Sequence, residues 1–360
     1  MYRYRAAFSP REQRRANRLT AISETTAADP RQLLKDRVVL DGLFVPMLDN
    51  KQLQRLRAGG LTTVHTTVGI FEDFRGLVGR VLNVRQAIAR LGSEARIAGS
   101  VAEIREARKA GRLSVVLGVQ NASPIEDDER LIGPLRELGI RIVQLTYNDR
   151  NLVGDGCAEE TDAGLSSFGR RVVETLNDQR VLIDLSHVGE NTAAEAIALS
   201  RHPVVVSHSN AKALRDHPRN IPDDVIRAVT ARGGVIGVNA FPGFLLGGPT
   251  PAPSVSDLID HMVHIASTAG GARHVGIGLD LDEADTPPEH YLTSDGQPGL
   301  GRHPFPPNFL PRWPWTYAIR SMSDFMDIPE QMIKRGFEED EIIGIVGENF
   351  LRVFEEVWGC

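Results

Sequence analysis

Two short apolar runs end in histidine: VLIDLSHV brings His187 to the end of 181–187, and HPVVVSHS brings His208 to the end of 202–208. A neutral imidazole is a nitrogen ligand for a divalent cation, so two of them at neighbouring strand ends are half of a zinc-type set. Asp280 closes a third run, RHVGIGLD, and offers a carboxylate able to take a proton from a water held by such a cation. Tyr147 and Asn148 close GIRIVQLTYN, and Gln120 and Asn121 close RLSVVLGVQN. Taken singly, a histidine is as readily a structural hydrogen-bonding residue, and Asp280 a loop carboxylate capping a helix. Convergence separates the two readings, so the elements that carry these residues come next.

Eight short β-branched segments recur along the chain, at 37–43, 60–69, 112–121, 139–148, 180–187, 202–208, 233–241 and 273–280. Longer amphipathic stretches lie between them. SFGRRVVETLNDQ puts Phe168, Val172, Val173 and Leu176 on one stripe at helical spacing. PDDVIRAVTARGG has carboxylates in its first turn and glycine at its end, the marks of a helix start and stop. Strands apolar on both faces suit a parallel sheet under helices, and the alternation predicts a (β/α)8 TIM barrel. In such a barrel the strand C-termini form the mouth, which gathers the residues above. Residues 1–35 read as an N-terminal extension and 36–360 as a single barrel domain. The Pro/Gly-rich stretch 285–315 is expected to be a long loop, a lid over the mouth, with closing helices at the C-terminus.

Composition narrows the function classes. Of 360 residues 41% are hydrophobic, and 41 basic side chains meet 47 acidic ones for a net charge of −6, which predicts neither a nucleic-acid nor an anionic-membrane partner. Cys157 and Cys360 make no disulfide framework. The basic N-terminus lacks an apolar signal core, and no run reaches the roughly 18 apolar residues of a membrane span. A soluble, cytoplasmic protein is expected.

DLSHVG, SHSNAKALRDHPRNIPDDVIRAV, GGVIGVNAFPGF, HVGIGLDLDE and GENFLRVFEEVW resemble the membrane (renal-type) dipeptidases, peptidase family M19 of the amidohydrolase superfamily. The resemblance runs from about residue 38 to the C-terminus. It implies that His187 and His208 bind one zinc of a binuclear pair, that Arg219 holds the substrate's terminal carboxylate, and that Asp280 touches the metal-held water. A guanidinium fork suits a carboxylate, although Arg219 is otherwise a surface ion pair with Asp223 or Asp224. Asn148 and Asn239 are expected to contribute polar substrate contacts, with a buried structural amide the other reading of Asn239. A homodimer is implied by the resemblance alone.

The chain departs from that pattern on one side. The implied first-strand His-x-Asp motif is VVLDGLFVPMLD here, with Leu43 and Val45 at the ligand positions. Gln120 stands where the resemblance implies a bridging glutamate, and Tyr147 where it implies a histidine that stabilises the transition state. A one-metal site is therefore expected, zinc by its nitrogen ligands, with Cys157 or Gln120 completing the set beside His187 and His208. Tyr147 is suited to donate to a developing oxyanion. His65 faces either the barrel lumen or the helices, and His202 and His217 look solvated. The expected function is hydrolysis of a C–N bond in a small carboxylate-bearing substrate. A rebuilt dipeptidase, and a non-hydrolytic enzyme or inactive binder, are the alternatives.

Overall fold

The computed structural model describes residues 29–246, 252–281 and 317–359, with the backbone of 299–300 and 303–304. Eight parallel strands form a barrel: β1 (Leu40–Phe44), β2 (Thr63–Thr67), β4 (Leu113–Val119), β5 (Ile140–Gln144), β6 (Leu182–Asp184), β7 (Val205–Val206), β8 (Val235–Val238) and β9 (Val275–Ile277), hydrogen-bonded in that order. A parallel bridge from Phe44 to Leu281, beside the Asp280 N–H on the Leu43 carbonyl, closes β9 onto β1. This is the (β/α)8 architecture expected from the alternation.

A ninth strand, β3 (Ala95–Ile97), escaped the sequence reading. It pairs the first half of β4 on the edge whose second half pairs β5. Three residues with Arg96 among them carry no apolar run to betray a strand. Helix starts are capped as their sequences suggest: Asp73 accepts from the Gly76 N–H at 2.7 Å, and Ser166 from the Gly169 N–H at 2.9 Å. In the helix Ser167–Asp178, Val172, Val173 and Leu176 are buried against the strands, as the stripe predicts.

The floor of the barrel is apolar. Val38, Leu40, Val116, Ile142, Leu182, Val205 and Val235, from the beginnings of the strands, pack on Phe350, Phe354 and Trp358 of the closing helix Asn349–Trp358. Gly276 makes this approach possible, since a Cβ there would lie 2.4 Å from the Phe350 ring. A π-helical turn, Gly344–Glu348, joins that helix to Glu339–Ile343. Sealing the strand starts leaves the strand ends as the open face. The expected N-terminal extension begins, among described residues, with a short helix, Pro30–Leu33. The stretch 285–315 lies outside the described residues except for a two-residue antiparallel pair, Gly299–Leu300 with His303–Pro304. Among the described residues no helix is long and apolar enough to cross a membrane.

Candidate functional site

The chain after β6 bends because Asp184 accepts from the Ser186 N–H two residues on, at 3.0 Å. His187 then adopts a left-handed backbone, φ 63°, and its carbonyl is held by the Cys157 N–H at 2.9 Å and Thr146 Oγ1 at 3.3 Å. His208 follows β7, its N–H on Ser186 Oγ at 3.1 Å. The two rings meet with Nε2 3.0 Å from Nε2. Burial, reinforced by the Arg219 guanidinium nearby, holds both imidazoles well below the ordinary histidine range, so both are neutral near pH 7. The Tyr147 ring stacks on His187, 4.1 Å between centroids and 22° between planes, and meets the edge of Phe71 at 5.5 Å.

Asn148, His187 and Asp280 all sit at strand ends with positive φ, at 59°, 63° and 53°. Non-glycine residues occupy that region at a cost, and such strain gathers at functional sites. Asp280 is half-buried, and its Oδ2 accepts from Asn239 Nδ2 at 3.1 Å. Asn239 is fully buried, with Oδ1 taken by the Phe241 N–H at 2.6 Å. Both ends of its amide are engaged within the chain, and it orients Asp280.

Arg219 is 2% exposed. Its Nη2 donates to the His208 carbonyl at 2.8 Å, its guanidinium lies 5.4 Å over the Phe244 ring, and its Nε has no partner. Burial lowers its pKa while Cys157, Asp280 and Tyr147 work against that shift. The surface ion pair with Asp223 or Asp224 is not formed; Asp223 pairs with His264 instead, at 2.8 Å. His217 is buried rather than solvated, because its Nδ1 takes the Arg219 N–H at 3.1 Å and its ring packs on Phe244.

Cys157 lies next to the pair. Its thiol approaches Asn148 Oδ1 at 3.6 Å, and in the metal-free chain burial pushes its pKa up to about 12. Gln120 is buried at the end of β4, where its carbonyl accepts from Gln144 Nε2 at 2.6 Å. Among the described residues no three His, Cys, Asp or Glu side chains converge as a metal set. Leu43 is fully buried hydrocarbon, and Val45 lines a separate groove with Val68, Arg80 and Val84. Burial, helped by Asp280, raises the Tyr147 hydroxyl above its usual pKa and keeps it a donor. A cavity of about 350 Å³ is bounded by Cys157, His187, Val188, Lys212, Arg219 and Ile221, and so reaches one histidine of the pair and the buried arginine.

Three residues, Asp184, Ser207 and Asp41, escaped attention in the sequence, and His65 was placed there on either face of its strand. Asp184 and Ser207 sit beside the histidines within DLSH and VSHS, and their serial hydrogen bonds appear only in the folded chain. His65 faces the lumen, its Nδ1 on the Gly42 carbonyl at 2.7 Å and its Nε2 buried without a partner. Asp41 is fully buried, with Oδ1 taking the Leu279 N–H at 2.8 Å and Oδ2 unpaired.

Known proteins share this architecture. An amidohydrolase of Pseudomonas aeruginosa superimposes with a TM-score of 0.82 at 32% identity, covering 92% of this chain and all of that one. A Rhodobacter sphaeroides metallopeptidase, solved with a phosphinate mimic of the dipeptide L-Ala-D-Ala, gives 0.71 at 18% identity over 89% of this chain and 99% of its own, a likeness of fold alone. An uncharacterized dipeptidase of Schizosaccharomyces pombe is 30% identical over 245 residues, 68% of this chain and 53% of the relative. The chain spans about half the length of the curated fungal relatives it matches. Residues 32–294 match the family described as membrane dipeptidase, peptidase family M19, and the chain belongs to it.

Proposed function

We propose that the chain is a metal-assisted hydrolase of an amide or peptide C–N bond in a small carboxylate-bearing substrate, and that it works with one cation rather than two. The observation that carries this reading is the opposed pair of neutral imidazole nitrogens 3.0 Å apart, next to a buried arginine with an unused N–H. Two nitrogens at Zn–N distances on a tetrahedral ion stand roughly 3.3 Å apart, so the pair fits one cation after a small opening. A second cation does not fit, because Leu43 and Val45 offer it hydrocarbon.

When bound, zinc supplies Lewis acidity and lowers the pKa of water. The remaining work falls to the chain's own side chains. Arg219 receives the substrate carboxylate on its free Nε and a neighbouring N–H. Asp280, oriented by Asn239, takes the proton of the attacking water and returns it to the departing nitrogen. Tyr147, kept protonated by burial, donates to the oxygen that gains charge at the carbonyl. Cys157 acts through Asn148 in this reading and does not ligate.

Metal content of the purified protein, measured by mass spectrometry for the native chain and His187→Ala, tests the proposal together with a panel of dipeptides and N-acyl amino acids. About one zinc per native chain, lost in the variant, with turnover on part of the panel, is expected. No metal after reconstitution would overturn the hydrolase reading and favour a ligand-binding role on the same scaffold; two per chain would overturn the mononuclear centre.

A further inference from the structure

The contact between His187 and His208 looks like a hydrogen bond only until the protons are counted. Asp184 accepts at Oδ1 from the Ser186 N–H, the Ser186 hydroxyl and the Ser207 N–H, at 3.0, 2.9 and 2.9 Å. Its Oδ2 accepts from the Ser207 hydroxyl. So many donors identify Asp184 as an acceptor-only carboxylate, and the single Ser207 proton is spent on it. Ser207 Oγ can then only accept from His208 Nδ1, 2.6 Å away. On the other ring, His187 Nδ1 lies 2.7 Å from Asn148 Oδ1, an oxygen the Cys157 thiol also approaches, and a carbonyl oxygen has no proton to give.

Both rings therefore carry their proton on Nδ1, and both Nε2 atoms present lone pairs. A hydrogen bond between them would need one Nε2 protonated, which would turn a bare Nδ1 toward an oxygen that cannot donate. Two lone pairs at 3.0 Å repel, yet the surroundings impose the approach. The Tyr147 stack and the held carbonyl fix His187, and Ser186 fixes the backbone of His208. We propose that Asn148, Ser207 and Asp184 are positioning residues that lock both histidines as Nδ1–H tautomers, so that two Nε2 lone pairs converge on one electrophile. Carboxylates and amides behind histidine ligands commonly set tautomer and basicity in this way. The inference rests on the proposed function only in taking the electrophile to be a cation; the tautomers belong to the metal-free chain.

The test is long-range ¹H–¹⁵N correlation of the ring nitrogens in the metal-free, full-length protein labelled at histidine, with His187→Gln and His208→Gln assigning the signals. Both rings are expected to show protonated Nδ1 and bare Nε2. In Ser207→Ala, His208 loses its Nδ1 acceptor, so its proton should move to Nε2 and form the hydrogen bond to His187 that the native chain forbids. Zinc affinity, titrated against a competing chelator, should fall 10- to 100-fold. Ser207→Thr, which keeps the hydroxyl, should restore both. A native His208 protonated on Nε2, or a Ser207→Ala protein with unchanged tautomer and zinc affinity, would overturn the inference. If Ser207→Ala does not fold, the native spectrum and Ser207→Thr decide. Expected tautomers in a chain that binds no zinc would support the positioning role and remove the metal reading instead.

Discussion

Replacing Arg219 by methionine should separate stability from function in opposite directions. The guanidinium is 2% exposed, makes one hydrogen bond to the His208 carbonyl, and leaves Nε unpaired. No carboxylate meets it in an ion pair among the described residues, so its desolvation is poorly offset. Exchanging a buried ion for packed hydrocarbon is commonly stabilising by about 1–4 kcal/mol. Losing the one hydrogen bond returns about 1 kcal/mol of that. A net gain of about 0–3 kcal/mol, read as a Tm rise of up to roughly 4 °C, is expected for Arg219→Met. Binding should move the other way. A charge-assisted hydrogen bond contributes about 1.5–3 kcal/mol, which is roughly 10- to 150-fold in affinity. The assay is a cycle of four titrations by calorimetry: native and Arg219→Met protein, each with a dipeptide and with the same dipeptide amidated at its C-terminus. The native chain should prefer the free acid by that factor, and the variant should prefer neither. A variant that keeps the acid preference, or that loses stability while keeping it, would refute the assignment and leave Arg219 a structural residue.

Two further outcomes follow from buried groups. Burial raises the Asp41 carboxyl from 3.8 to about 8, against hydrogen bonds from the Leu279 and Leu43 amides, with Asp280 adding to the rise. Because the folded pKa lies above the unfolded one, this group's contribution is fully present below about pH 4 and is lost as pH climbs through 8. Asp41→Asn, which removes the titration and keeps the acceptor, should stabilise by roughly 2–4 kcal/mol at pH 8 and by little at pH 4, measured by urea unfolding at both values; a gain independent of pH would contradict it. Gly118 faces the lumen where a Cβ would fall 2.1 Å from His65 Nε2, while Nδ1 of that ring is tied to Gly42. Gly118→Ala should therefore cost about 1–3 kcal/mol of stability, and Gly118→Ala with His65→Ala should recover most of it; an unaltered Tm in the single variant would mean that His65 is free to move.

How the site is made was only partly visible in the chain order. The alternation of β-branched and amphipathic segments determined the barrel, because strand and helix periods are local properties of consecutive residues. It also determined which residues would stand at the open end, since DLSH, VSHS and GLD each finish a strand. That Leu43 and Val45 offer no cation ligand was equally legible, because hydrocarbon cannot bind a metal in any fold. Side-chain type did not determine orientation. Cys157 was one candidate third ligand by type, and only the fold places its thiol beside Asn148 Oδ1. His217 looked solvated and is packed under Arg219. Asp184 and Ser207 carried no signal beyond neighbouring a histidine, and their bearing on it depends on donors from residues up to 23 positions apart. Tautomer, burial and the direction of a lone pair are set by what the closed barrel brings alongside each residue, and only the tertiary structure could decide them.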